Sequence, residues 1–170
     1  MLGVAAFVRS ALVVAAVVLV LAPTASASSP EFDPGITIPN GGWNAPVSDL
    51  VKYLAFLTHA DHGDSALAAR YDGVLRHATL EEMWRPVVPL AAAGGGDEAF
   101  GLSFYVYRRG DRTIVGHTGE QSGFRSFFYL DPASTTAVVG VVNTTNEGRA
   151  AASAAGWDTL TRGAVELVAP

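Results

Sequence analysis

Residues 113–124 read Thr-Ile-Val-Gly-His-Thr-Gly-Glu-Gln-Ser-Gly-Phe. An apolar run enters a polar cluster bracketed by glycines, and a second apolar run, Phe124 to Leu130, leaves it. Gly119 and Gly123 permit backbone angles or close approaches that a β-carbon would block. The cluster therefore sets an imidazole (His117), a hydroxyl (Thr118) and a backbone without a side chain (Gly119) at the end of a β-strand. A ligand could lie against that strand edge and pair with its main chain. An isolated His-Thr-Gly is also what an ordinary turn looks like, so the neighbouring segments decide.

Four strands are expected around this point: Phe100 to Arg108, Arg112 to Gly116, Phe124 to Leu130, and Thr136 to Asn143. Arg109-Gly110-Asp111 turns the chain between the first two, and Asp131-Pro132 begins the turn between the last two. Connections this short imply an antiparallel meander. Gly148 to Val168 reads as a helix with Trp157, Leu160, Val165 and Leu167 apolar, suited to covering one face of the sheet. The expected class is α+β, an antiparallel sheet flanked by helices.

Upstream, Val47, Leu50, Val51, Leu54 and Leu57 recur at helical spacing to about Thr58. Asn44 is the expected N-cap, with Pro46 in the first turn. Ser48 and Lys52 lie four apart on that helix; a nucleophile and base could be imagined there, but a solvated face is expected. The run His59-Ala60-Asp61-His62-Gly63-Asp64 has the residue types of a metal cluster but no third partner fixed by spacing, and Gly63 suits a helix C-cap, so no metal is expected. Thr79-x-x-Glu82 reads as a capping box opening a short helix that Arg85-Pro86 stops. Residues 91–96 read as a flexible connector.

The 170 residues are 49% hydrophobic and 16% charged, a globular composition sufficient for one domain. The net charge of -5 gives no basic footprint for nucleic acid. There is no cysteine, which excludes disulfides and thiol chemistry. Residues 1–27 have the order of a secretory signal peptide: Arg9, then the apolar run Ala11 to Leu21, then Ala25-Ser26-Ala27. The apolar run is short for a membrane span, so a stable anchor is not expected. A secreted or periplasmic location follows. Residues 28–40, with Pro30, Pro34 and Pro39, read as a linker, and 41–170 as the folded domain.

Several segments are carried in a fixed order. They are Gly41 to Leu50, Thr79 to Pro86, Phe100-Gly101-Leu102-Ser103-Phe104, His117-Thr118-Gly119, Tyr129-Leu130-Asp131-Pro132, and Ala137 to Asn143. Together they resemble the C-terminal half of the serine beta-lactamase and penicillin-binding-protein-like hydrolases. The likeness is nearest to the branch of class C beta-lactamases, D-alanyl-D-alanine carboxypeptidases and related esterases. It covers about Gly41 to Val168 and implies a partial beta-lactamase/transpeptidase-like fold without its N-terminal half. Two strands of that half would complete the sheet, so an uncovered edge, and with it self-association or a complementing chain, is expected.

The family resembles a three-motif machine: Ser-x-x-Lys carries the nucleophile, Tyr-x-Asn or Ser-x-Asn transfers protons, and Lys-Thr-Gly or His-Thr-Gly faces the substrate. Lys52 is the only lysine, no serine has lysine three residues on, and no Tyr-x-Asn or Ser-x-Asn occurs. The resemblance implies that His117 offers a polar or positive group to a small-molecule or peptide substrate. In the same way Thr118 hydrogen-bonds it, often at a carboxylate, Gly119 lets it lie flat, and the Glu120 N–H is one oxyanion-hole donor. No catalytic residue and no cofactor is assigned. A serine without a paired base is a weak nucleophile. Three readings stay open: a truncated and inactive relative, a secreted noncatalytic module for peptide or cell-wall fragments, and a half-enzyme completed by another chain.

Overall fold

The computed structural model describes residues 14–18, 41, 45–90, 97–121, 124–142 and 150–169. Six strands form an antiparallel succession: β2 (Val88–Pro89), β3 (Glu98–Phe100), β4 (Tyr105–Arg109), β5 (Arg112–Gln121), β6 (Phe124–Asp131) and β7 (Thr136–Val142). A seventh, β1 (Val14–Val18), pairs in parallel with β7, from Val14 opposite Ala137 to Val18 opposite Val141. The sheet order is β1-β7-β6-β5-β4-β3-β2.

Four helices accompany the sheet: α1 (Val47–Leu57), α2 (Ser65–Val74), α3 (His77–Met83) and α4 (Ala150–Val168). The pleat sends alternate side chains to opposite faces, and each face has its own core. Val106, Val115, Leu130, Ala137 and Val139 meet Leu54 and Leu57 of α1, Leu80 of α3, and Trp84 and Phe104. Ile114, Phe127, Tyr129 and Val138 meet Ala164, Val165 and Val168 of α4. Truncating a fully buried leucine such as Leu54 removes about 2–5 kcal/mol. The α+β class and the helix-flanked antiparallel sheet hold, and α4 covers one face.

Several boundaries differ from the expectations. The strand expected over Phe100 to Arg108 is two strands. Gly101 donates its N–H to Phe104 O (2.8 Å), Leu102 N–H bonds Met83 O (2.8 Å), and Ser103 takes a left-handed φ of 66°. A β-carbon on Gly101 would strike the Met83 carbonyl, so only glycine lets the chain fold back against α3 there. The capping box at Thr79 is absent: α3 starts at His77, and Asp72 Oδ1 accepts from the His77 N–H (3.0 Å), which places Thr79 inside the helix. Gly63 is no C-cap. Thr58 caps α1, and Gly63 (φ 82°) lies in the turn before Asp64, whose carboxylate accepts from Ala66 and Leu67 N–H to open α2. The helix α2 and the strand β2 have no counterpart among the expectations. Asn44, residues 91–96 and residues 148–149 lie outside the described residues.

The expected open edge at β7 is occupied by β1 over five residues. Of the segments read as signal peptide and linker, only 14–18 are described, and among the described residues no helix is long and apolar enough to cross a membrane.

Candidate functional site

The strand β5 does not end at Gly116, where the apolar run suggested. It continues for five more residues, so His117, Thr118, Gly119 and Glu120 lie within a strand and not in a turn. The two halves of β5 differ in their neighbours. On one side β6 pairs from Val115 opposite Leu130 to Gln121 opposite Phe124. On the other, β4 pairs only up to Tyr105 opposite Gly116. Residues 117–121 thus have β6 on one side and, among the described residues, no strand on the other.

The half before that point is tightly fixed. Ile114, Val115 and Gly116 are buried. A β-carbon on Gly116 would run into Phe128 O and the Tyr129 ring, so glycine is required by the packing of β6 and not by an unusual φ. At its start, Arg112 Nη1 meets Asp131 Oδ2 at 3.0 Å, and Asp131, 1% exposed, also accepts from Ala133 N–H and Ser134 Oγ (both 2.9 Å). Two tyrosines line the α4 side of this region. Burial pushes the hydroxyls of Tyr107 and Tyr129 above the usual phenol range, and they are hydrogen-bonded to each other.

An aromatic wall flanks the half beyond it. The His117 ring lies 5.3 Å from the Tyr105 ring and 6.1 Å from the Phe100 ring, centroid to centroid, and those two are 5.0 Å apart, edge to face. Thr118 is half-buried, while Gly119 and Glu120 are exposed. A β-carbon on Gly119 would sit 3.1 Å from Ser126 Oγ, a crowded contact with a side chain that can turn away. Arg125 Nε donates to Glu120 Oε2 at 2.7 Å, and its guanidinium lies 5.5 Å from the Trp157 ring centroid.

The sequence profile of the Beta-lactamase family matches residues 11–161. The chain belongs to the Beta-lactamase family. Comparison with curated proteins and with solved structures finds no match.

As a Beta-lactamase family member, the chain brings the four sequence-predicted binding residues together on one strand segment. It does not bring Ser48 or Lys52 to them as a pair of nucleophile and base. Both are exposed on α1, and Lys52 Nζ is bound to Asp49 Oδ1 at 2.7 Å. Ser122 lies outside the described residues. His59 is half-buried, 3.6 Å from Asp61 and 3.4 Å from Asp72, whereas His62 is exposed. Asp72 is held below the usual carboxylate range, chiefly by the His77 N–H and further by His59. Among the described residues no group of three or more such side chains is placed to hold a metal ion.

Phe100, Tyr105, Ser126 and Arg125 were not legible as site residues. Tyr105 and Ser126 reach the segment through strand register, Arg125 through its pairing with Glu120, and Phe100 through the reversal at Gly101-Leu102-Ser103-Phe104. None of these leaves a local motif.

Proposed function

We propose that this chain is a ligand-binding member of the serine beta-lactamase-like hydrolases that does not itself form an acyl-serine. The observation that carries this reading is the one-sided pairing of residues 117–121. Backbone N–H and C=O groups without a strand partner are a template for β-strand addition by a peptide-like ligand. The chemistry of acylation needs more. A serine nucleophile requires a base within hydrogen-bond reach, and Ser-x-x-Lys and Tyr-x-Asn are absent from this sequence. An oxyanion donor such as the Glu120 N–H is worth about 10²–10³ in rate only when there is an attack to assist.

In this reading His117 and Thr118 fix the ligand's polar groups and Gly119 keeps the edge flat. The leader-like order of Arg9, the run Ala11 to Leu21, and Ala25-Ser26-Ala27 supports export of the chain, and cleavage after Ala27 would remove β1 and leave β7 without that neighbour. Incubation of the full chain with a fluorescent penicillin and a fluorophosphonate, followed by intact-mass measurement, tests the reading. No adduct is expected. A stoichiometric adduct on any serine overturns it.

A second reading, a half-enzyme completed by another chain, draws on the uncovered apolar surface of α2. That helix buries no residue, Val74 is 77% exposed, and Phe56, Leu67, Tyr71 and Val74 line a shallow cleft with Arg70. Co-purification with a chain carrying Ser-x-x-Lys, and penicillin labelling of that partner's serine, distinguishes it.

A further inference from the structure

The helix α2 has an apolar stripe but, among the described residues, nothing buries any of its side chains. Leu67, Arg70, Tyr71 and Val74 recur at i, i+3, i+4 and i+7, the spacing of one helix face. With Phe56 of α1 they line a cleft of about 270 Å³. The Tyr71 and Phe56 rings meet edge to face, 5.7 Å between centroids, and Val74 is 77% exposed. One cation, Arg70, joins these apolar and aromatic side chains. The carboxylates nearest to it in sequence are engaged elsewhere. Asp64 caps α2, and Asp72 accepts from the His77 N–H and lies 3.4 Å from His59.

A segment that suits this cleft combines a large apolar side chain with negative charge beside it. Residues 31–33, Glu-Phe-Asp, carry that pattern, an aromatic with a carboxylate on each side. They lie outside the described residues, in the stretch that leads into α1. The other aromatics outside the described residues, Phe7 and Trp43, have no acidic residue within three positions. Pro30 and Pro34 bracket the triplet and narrow the backbone angles open to it, which lowers the ordering cost of docking. Ala45 is twelve residues on from Asp33, enough chain to span about 40 Å, whereas Val47 to Phe56 along α1 is only about 14 Å. The triplet follows Ala27, so cleavage there leaves it on the chain.

We propose that Phe32 seats in the α2 cleft against Phe56, Leu67, Tyr71 and Val74, with Glu31 and Asp33 directed to Arg70. Burial of the ring supplies the affinity, and the carboxylates supply orientation, since ion pairs this exposed are individually weak. Tethering makes a contact of this size sufficient, because the segment is never diluted away from its cleft. The contact is independent of residues 117–121, and it competes with a complementing chain for the surface that the second reading above gives to that chain.

The test uses the ¹⁵N-labelled full chain. Phe32→Ala is expected to move the Leu67, Tyr71 and Val74 amide signals and to speed α2 amide exchange about five-fold or more, with the Val115 and Gly116 amides unchanged. Arg70→Glu is expected to give a smaller shift of the same signals, recovered when Glu31→Arg and Asp33→Arg are added. Since the chain has no cysteine, Ser29→Cys takes a single nitroxide, which is expected to broaden the α2 amides selectively. Unchanged α2 signals and exchange in Phe32→Ala, or broadening that spares α2, overturns the proposal. No recovery in the triple variant overturns the pairing with Arg70. Broadening of α2 in an unlabelled ¹⁵N chain by a nitroxide-labelled ¹⁴N copy also overturns it and assigns the cleft to a second copy.

Discussion

The two halves of β5 are one continuous strand under opposite constraints. Residues 112–116 are paired with β4 throughout and, from Val115 on, with β6 as well, are buried at Ile114, Val115 and Gly116, and are tied down by Arg112 and Asp131. Residues 117–121 share the same direction and the same partner strand but have, among the described residues, no strand on the other side, and Gly119 and Glu120 are exposed. A binding strand needs both. In the proposed binding reading the paired half sets position and twist at a precision no loop would give, and the other half offers its backbone groups to a ligand. The glycines report the difference: Gly116 is required by contact with β6 atoms, whereas Gly119 faces only a movable hydroxyl.

The largest expected effect lies at the closed end. Asp131→Ala leaves Arg112 without its partner and removes the acceptor for Ala133 N–H and Ser134 Oγ. Losing charge-assisted hydrogen bonds of this kind costs about 1.5–3 kcal/mol, to be read from urea denaturation; a loss below about 1 kcal/mol would mean the closed half is not the anchor. Next is Gly116→Ala, which overpacks the contact with β6 and is expected to cost about 1–3 kcal/mol. The matched substitution in the open half, Gly119→Ala, is expected to move stability by only about 0.5 kcal/mol or less while weakening peptide binding. If the two glycines cost the same, the comparison fails. Smallest is Arg125→Gln. A partly exposed ion pair is worth about 0.2–1 kcal/mol, so the fold should persist with a small loss in denaturation midpoint.

Much of this was legible in the sequence, for reasons that can be named. The strands Phe124–Asp131 and Thr136–Val142 and the helix Val47–Leu57 follow from apolar periodicity and from the turn residues Gly110 and Asp131-Pro132, all local signals. His117, Thr118, Gly119 and Glu120 were found because a motif is local too. The break between Phe100 and Tyr105 was hidden because it depends on a carbonyl of α3, distant in sequence. The helix α2 was missed because its N-cap, Asp64, looked like the end of a histidine cluster and its residues bury nothing. The strand Val14–Val18 lay inside an apolar run whose composition suits a leader as well as a strand. That residues 117–121 have, among the described residues, no strand on one side could not be read at all, since it depends on where β4 begins relative to β5.

Amide hydrogen exchange along β5 tests the central claim most directly. It is measured residue by residue on the full chain, free and with a saturating amide-capped Val-Phe-Ala peptide. The expected result is slow exchange of the Val115 and Gly116 amides, which have strands on both sides, in both states. Within 117–121, the amides facing away from β6 should exchange fast when free and slow when the peptide is bound. Protection of those amides in the free chain equal to that of Val115 and Gly116, or no change on adding the peptide, would contradict the account.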